Sequence, residues 1–202
     1  MRCLYCDKPI EKCSLTSLFL ENDQLCIDCR KKLKIDKKYF YLEDLKVETF
    51  YEYDGMFKNL LIQYKECFDE ALHDVFLYTL KDYIRYKYRG YCIVLMPSSR
   101  YKLELRGFDH LRLIFDEVGL PIVNGLKMKD ELIQEGKNYE ERLLMKNNYI
   151  YEGNKYRKIL IVDDIVTTGA SMLGAYSAIK PYIKAVRGLA LASTRKFFKT
   201  KH

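Results

Sequence analysis

The sequence predicts an α/β protein: a mostly parallel sheet flanked by helices, preceded by a small cysteine-bearing module. Three observations lead there. After Tyr91, short strands alternate with helices, the pattern of βαβ units. Two of those strands, "YCIVLM" from Tyr91 and "KILIV" from Lys158, are uninterrupted apolar runs, as expected of strands buried on both faces. Five of the seven cysteines fall within the first 29 residues. The Cys- and Lys-rich stretch 1–38 therefore reads as one unit and 39–202 as another.

Taken in order, "KVETFYEY" (Lys46–Tyr53) alternates, with Val47, Thr49, Tyr51 and Tyr53 on one face, and predicts a strand. "GMFKNLLIQYKE" sets Phe57, Leu60, Leu61 and Tyr64 at helical spacing. "DEALHDVFLYTLKDYIRYKY" continues with Leu72, Val75, Phe76, Thr79, Leu80 and Tyr83 on one stripe. His73, beside that stripe, reads as structural or solvated. Pro97 closes the strand that starts at Tyr91. "FDHLRLIFDEVG" predicts a helix ended by Gly119, and "LPIV" a short strand. "NYEERLLMKNN" reads as a helix or a loop. "KILIVDD" is a second buried strand, "ASMLGAYSAIK" a helix stopping near Pro181, and "AVRGLALAS" a last strand.

Composition sets outer bounds. The chain has 202 residues, 49% hydrophobic and 31% charged, enough to bury a core. No apolar run approaches the roughly 18 residues of a membrane span. The opening "MRCLYCDKPIEKC" has no apolar signal region. The expectation is a cytoplasmic protein with no membrane insertion, its thiols serving as ligands or core rather than disulfides. Cys67 and Cys92, in apolar surroundings, read as buried thiols. A net charge of +7 suits anionic partners.

The stretch that carries most chemistry is "KILIVDDIVTTGAS", Lys158–Ser171. In a parallel sheet, ligands sit at the carboxyl ends of strands. Asp163 and Asp164 would emerge there after the buried run Ile159–Val162, placed to accept hydrogen bonds from vicinal sugar hydroxyls. Thr167, Thr168, Gly169, Ala170 and Ser171 would form the turn into the next helix, whose backbone N–H groups and dipole suit a phosphate monoester. Gly169 lets a phosphate approach the backbone. Helix capping alone would explain one or two of these residues. Neither a GxGxxG fingerprint nor a GxxxxGK[ST] loop occurs, so a simple nucleotide site fits less well.

Four apolar residues, two acids, two apolar residues and Thr-Thr-Gly-x-Ser resemble the signature of phosphoribosyltransferases that bind 5-phosphoribosyl-1-pyrophosphate (PRPP). Within that superfamily the chain is similar to the ComF family of competence proteins. "PSSRYKLELRGFDH" (Pro97–His110) and "QEGKNYEERLLMKN" (Gln134–Asn147) resemble further segments of the family. Asp109-His110 stands where Asn-Gln is usual, and Lys137 where an apolar residue is common. The resemblance implies a type I phosphoribosyltransferase-like sheet, with Asp163 and Asp164 on the ribose hydroxyls and Thr167–Ser171 on the 5′-phosphate. It places Ser98, Ser99 and Arg100 toward the pyrophosphate, with Arg106 as either a cation there or a plain surface arginine. Arg142 would close over the ligand or carry surface charge. Mg²⁺ would accompany PRPP. The resemblance further implies DNA uptake in natural competence, with two readings. One is an enzyme transferring phosphoribose to an unidentified acceptor. The other is a non-catalytic adaptor for single-stranded DNA that works with a competence helicase of the ComFA type, PRPP being regulatory or absent.

The cysteines point to a metal. Cys3-x2-Cys6 and Cys26-x2-Cys29 have the spacing of a four-thiolate zinc ribbon. With no open ligand position the zinc would be structural, and Cys13 a bystander. Downstream, Arg30, Lys31, Lys32, Lys34, Lys37 and Lys38 precede Tyr39–Tyr41. Basic residues beside aromatics can hold single-stranded nucleic acid, although a solvated helix end and linker has the same composition.

Overall fold

The structure, a computed structural model, describes residues 1–10, 23–129 and 148–198. Helix α1 (Ile27–Lys32) closes the cysteine-bearing segment and leads into β1 (Lys38–Leu42) and β2 (Leu45–Glu52), an antiparallel pair. Helix α2 (Gly55–Glu66) buries Phe57, Leu60, Leu61 and Tyr64, the stripe its spacing predicts; Asp54 caps it through the Gly55 N–H. A 3₁₀ turn, α3 (His73–Leu77) and α4 (Lys81–Lys87) follow. Then come β3 (Cys92–Leu95), α5 (Arg100–Arg106), α6 (His110–Asp116), β4 (Leu126–Met128) and β5 (Tyr149–Tyr151). The chain ends through β6 (Lys158–Val166), α7 (Ala170–Ile179), β7 (Ala185–Ser193) and α8 (Arg195–Phe198).

The main sheet has the order β1-β2-β7-β6-β3, parallel except for β1. The expected α/β architecture is therefore present. Its interior strands carry the core: Ile159, Leu160, Ile161 and Val162 of β6 and Leu189–Ala192 of β7 are fully buried. Register creates the feature that matters most. β6 pairs with β7 along its whole length, out to Val166↔Ser193, but with β3 only to Leu95↔Val162. The Met96 N–H closes that ladder on the Val162 carbonyl at 2.9 Å. Beyond Val162, β6 runs on with a strand on one side only. Asp163 and Asp164 thus lie within the strand, not after it, at a notch in the sheet's carboxyl edge.

Three elements differ from their sequence patterns. β2 alternates in sequence, yet Glu48 and Phe50 are as buried as Val47, Thr49 and Tyr51, because β2 is an interior strand. Glu48 is tolerated there because its carboxylate accepts hydrogen bonds from Tyr39, Tyr83, Tyr88 and Lys87. The long helical stripe through Leu72–Tyr83 is interrupted. The Leu80 N–H turns back to the Leu77 carbonyl at 2.8 Å, tightening the chain and rotating Thr79 into solvent while Leu77 and Ile84 go inside. "LPIV" makes one parallel bridge, Ile93↔Ile122, instead of a strand. The thiols of Cys67 and Cys92 are not buried: Cys67 is exposed at the end of α2 and Cys92 half-buried at the start of β3. His73 packs its ring nitrogen on the Glu70 carbonyl, in line with a structural role.

Candidate functional site

Asp163 and Asp164 are successive residues of β6, and their carboxyl groups lie close enough to feel one another. Asp164 is 7% exposed. Its Oδ2 accepts from His110 Nε2 at 2.9 Å and from the Lys65 ammonium. Lys65 lies on the last turn of α2 and His110 opens α6. The Arg106 guanidinium stands 3.2 Å from His110 Nδ1; since a guanidinium only donates, Nδ1 accepts and Nε2 carries the proton given to Asp164. Arg106 Nε also donates to the Lys65 carbonyl at 3.2 Å, and Tyr64 Oη to the His110 carbonyl at 2.8 Å. Three helices, α2, α5 and α6, thereby converge on one carboxylate.

The two acids feel opposite fields. Burial pushes Asp164 up, but His110 and Lys65 outweigh it and hold the carboxyl well below the usual range. Burial and the neighbouring Asp164 charge push Asp163 well above the usual range, against the hydrogen bond that its Oδ1 accepts from the Asp164 N–H at 2.9 Å. Asp163 is the half-buried member of the pair.

Immediately beyond, Thr167–Ser171 turn into α7. Gly169 takes φ +83°, the left-handed conformation that suits glycine, and serves as N-cap. A Cβ there would meet Leu42 Cδ2 at 2.6 Å. Thr167, Thr168, Ala170 and Ser171 are exposed. Thr168 Oγ1 accepts from the Ala170 N–H at 3.3 Å, and Thr194 Oγ1 donates to the Thr167 carbonyl at 3.3 Å. This leaves a helix N-terminus facing outward at the carboxyl edge, suited to an anionic oxygen. Gly174 admits Tyr149 of β5 against α7; a Cβ there would be 2.9 Å from the ring.

On the other flank, Ser98 and Ser99 follow β3, half-buried, beside the notch. Arg100 is exposed and ion-paired with Glu104 at 2.9 Å. Arg106 is neither on the surface nor in that loop: its side chain is 5% exposed and turned into the Asp164 network. Asp109 caps α6, accepting from the Leu111 and Arg112 N–H groups at 3.1 and 3.2 Å. Sequence reasoning missed Lys65 and His110 as site residues. Gln134–Asn147, with Arg142, lie outside the described residues, as does Cys13.

Cys3, Cys6, Cys26 and Cys29 meet, their sulfurs all within 4.8 Å of one another. Cys3, Cys26 and Cys29 are buried and Cys6 is the most exposed. The first pair sits on a tight turn (Asp7 N–H to Cys3 carbonyl, 2.9 Å; Asp7 φ +58°), the second at the start of α1. Burial raises Cys3, but N–H groups of Cys26, Cys6 and Tyr5 prevail and bring it down to about 7. Burial and the adjacent thiols push Cys29 up. Four converging sulfurs, with backbone N–H groups favouring a thiolate at one of them, form a donor set that fits a tetrahedral zinc ion.

The basic stretch divides. Arg30 points inward: it donates to the buried Asp23 at 2.6 Å and to the Val75 carbonyl of α3 at 2.9 Å. Lys37 lies 3.4 Å from the Tyr83 ring centroid and Lys38 pairs with Asp36 at 3.1 Å. Lys31, Lys32 and Lys34 are exposed and form no ion pair among the described residues. The module also touches α2, where Gln63 Nε2 donates to the Leu4 carbonyl at 3.3 Å.

Together these features define an α/β protein with an acid pair and an anion-ready turn at one sheet edge and, apart from it, a four-cysteine cluster. No family model matches the chain. It is 26% identical over 203 residues to competence protein ComFC of Streptococcus pneumoniae (strain ATCC BAA-255 / R6), covering 85% of this chain and 90% of that protein. Among solved structures it is similar to adenine phosphoribosyltransferase from Leishmania donovani, with 14% identity, a TM-score of 0.39, and coverage of 82% of this chain and 79% of that one. The likeness to the ComF family noted from motifs thus extends to a curated relative over most of the chain. No described helix is long and apolar enough to cross a membrane.

Proposed function

We propose that the chain binds PRPP at the notch between β6, α7 and the β3 loop, and serves natural competence in the cytoplasm. In this reading residues 1–38 are a zinc-ribbon module and 39–202 a phosphoribosyltransferase-like domain. The observation that carries it is the acid pair on a strand that outruns its neighbour, followed at once by a glycine-capped helix N-terminus. Backbone N–H groups and the hydroxyls of Thr167, Thr168 and Ser171 hold the 5′-phosphate. Asp163 and Asp164 accept from the ribose hydroxyls. Ser98, Ser99 and Arg100 flank the pyrophosphate, and Arg106 acts from behind, through Lys65 and His110. Mg²⁺ carried with PRPP would neutralise the diphosphate as it departs. The chain's part in any displacement at the anomeric carbon is positioning and charge stabilisation.

The experiment is calorimetry with PRPP–Mg²⁺, paired with thermal melts. A ligand held only by the folded state adds about 2.7 kcal/mol at a hundredfold excess over Kd, which raises Tm by several degrees. No heat and no shift would remove the PRPP site. Steady pyrophosphate release with a candidate acceptor supports a phosphoribosyltransferase; binding without release supports a PRPP-regulated adaptor.

A second reading, direct contact with single-stranded DNA on behalf of a helicase of the ComFA type, rests on exposed Lys31, Lys32 and Lys34 of the module. Neutralising these three should weaken binding and flatten its salt dependence while leaving metal content unchanged. Unaltered binding would move the DNA site elsewhere.

A further inference from the structure

Lys65 is buried for most of its length, its side chain 21% exposed, yet its ammonium ends on the carboxylate that a ribose would use. Asp164 Oδ2 has two donors of different kinds. His110 is 4% exposed and fixed at both ends, by Arg106 on Nδ1 and through its carbonyl by Tyr64. Lys65 is a point charge on a flexible four-carbon stem. A sugar hydroxyl that takes Asp164 Oδ2 competes with Lys65, while His110 keeps the carboxylate oriented. Lys65 also stands against α5, whose Arg106 donates to its carbonyl and whose first turn follows Ser98 and Ser99. Among the described cations that touch the Asp164 network, the neighbouring charges leave it the one able to move inward. Arg106 is spent on the Lys65 carbonyl and His110, with Glu66 4.0 Å off, and Arg100 is paired with Glu104.

We propose that Lys65 is a displaceable counter-ion: ribose hydroxyls take its place on Asp164, and the released ammonium turns to the diphosphate on C1 of the same ligand. Lys65 is then the residue that separates PRPP from ribose 5-phosphate. This rests on the reading of the site given above. Without Lys65, two carboxylates would face a polyanion with only the bound metal to offset them. With it, the charge that holds the empty site together is reused on the ligand. Ribose 5-phosphate would displace the same ammonium and give it no anion in return.

Calorimetry of wild type, Lys65→Met and Lys65→Arg with PRPP–Mg²⁺ and with ribose 5-phosphate, at one ionic strength, tests this. Lys65→Met should weaken PRPP about ten- to a hundredfold, the scale of one charge-assisted contact. It should leave ribose 5-phosphate unchanged or tighter, and Lys65→Arg should keep the preference for PRPP. Equal weakening of both ligands, or no change in either, overturns the proposal and leaves the PRPP site standing. Wild type that binds neither ligand removes the site and the proposal with it. Amine labelling of the unmodified protein, read by mass spectrometry, covers a Lys65→Met chain that fails to fold. Lys65 should be protected in the empty chain and with PRPP, and labelled faster with ribose 5-phosphate; labelling that ribose 5-phosphate does not change refutes the displacement.

Discussion

The adjacent aspartates should respond oppositely to the same substitution. Asp164→Asn keeps an oxygen for His110 but removes the charge that meets Lys65. Breaking a buried ion pair from one side costs about 3–5 kcal/mol. The Lys65 side chain is 21% exposed and its ammonium can rehydrate, so the loss should be about 1–3 kcal/mol. For a chain of this length that is roughly 2–12 °C in Tm. Asp163→Asn keeps the hydrogen bond from the Asp164 N–H and relieves a charge that burial and Asp164 disfavour, so it should raise stability by up to about 1 kcal/mol. The pH dependence follows from the same shifts. Asp164 is depressed in the folded chain, so its contribution is complete above the unfolded value of about 3.9 and fades as pH falls through the folded value. Asp163 is raised, so it costs stability as pH rises from about 3.9 through its folded value. Wild type should lose stability over that interval and Asp163→Asn should not. Denaturant melts of ligand-free, metal-replete protein from pH 4 to 8 read this directly. If Asp163→Asn destabilises as much as Asp164→Asn, Asp163 has a cationic partner and the account of opposed fields is wrong.

Purified protein should carry about one zinc per chain. Cys26→Ala should release it and open residues 1–38 to protease, and full zinc content in a Cys3/Cys6/Cys26/Cys29 quadruple variant would end the assignment. Gly169→Val should abolish phosphate and PRPP binding and also lower Tm by several degrees, because it faces both the left-handed backbone and the Leu42 side chain. Unchanged melting would show that the turn relaxes without cost.

What the sequence disclosed and what it hid follow from range. Uninterrupted apolar runs announced β3 and β6, since burial on both faces leaves no polar alternate positions. The turn Thr167–Ser171 and the two CxxC pairs were legible because each is built from consecutive residues. Lys65 and His110 were not: they lie 99 and 54 residues from Asp164 and reach it only through helix packing. Their one local trace is position, a lysine just past the buried Leu61–Tyr64 stripe and a histidine just after a capping aspartate. Arg30 belonged by composition to a basic surface run, yet a buried aspartate and an orphan carbonyl of α3 turned it inward. β2 alternated because Thr49 and Glu48 find partners inside, so polarity there did not mean solvent.

Helix α2 touches both the cysteine-bearing segment and the acid pair. Near its C-terminus Gln63 holds the Leu4 carbonyl, next to the first cysteine, and two residues later Lys65 holds Asp164. The cysteine cluster and the acid pair therefore rest on the same turn of one helix. Linkage between two sites is reciprocal: any free energy that a metal at the cysteines passes to a ligand at Asp164 through that turn, the ligand returns to the metal in equal amount. Metal affinity measured with and without ligand, and ligand affinity measured with and without metal, are for this chain two readings of one quantity.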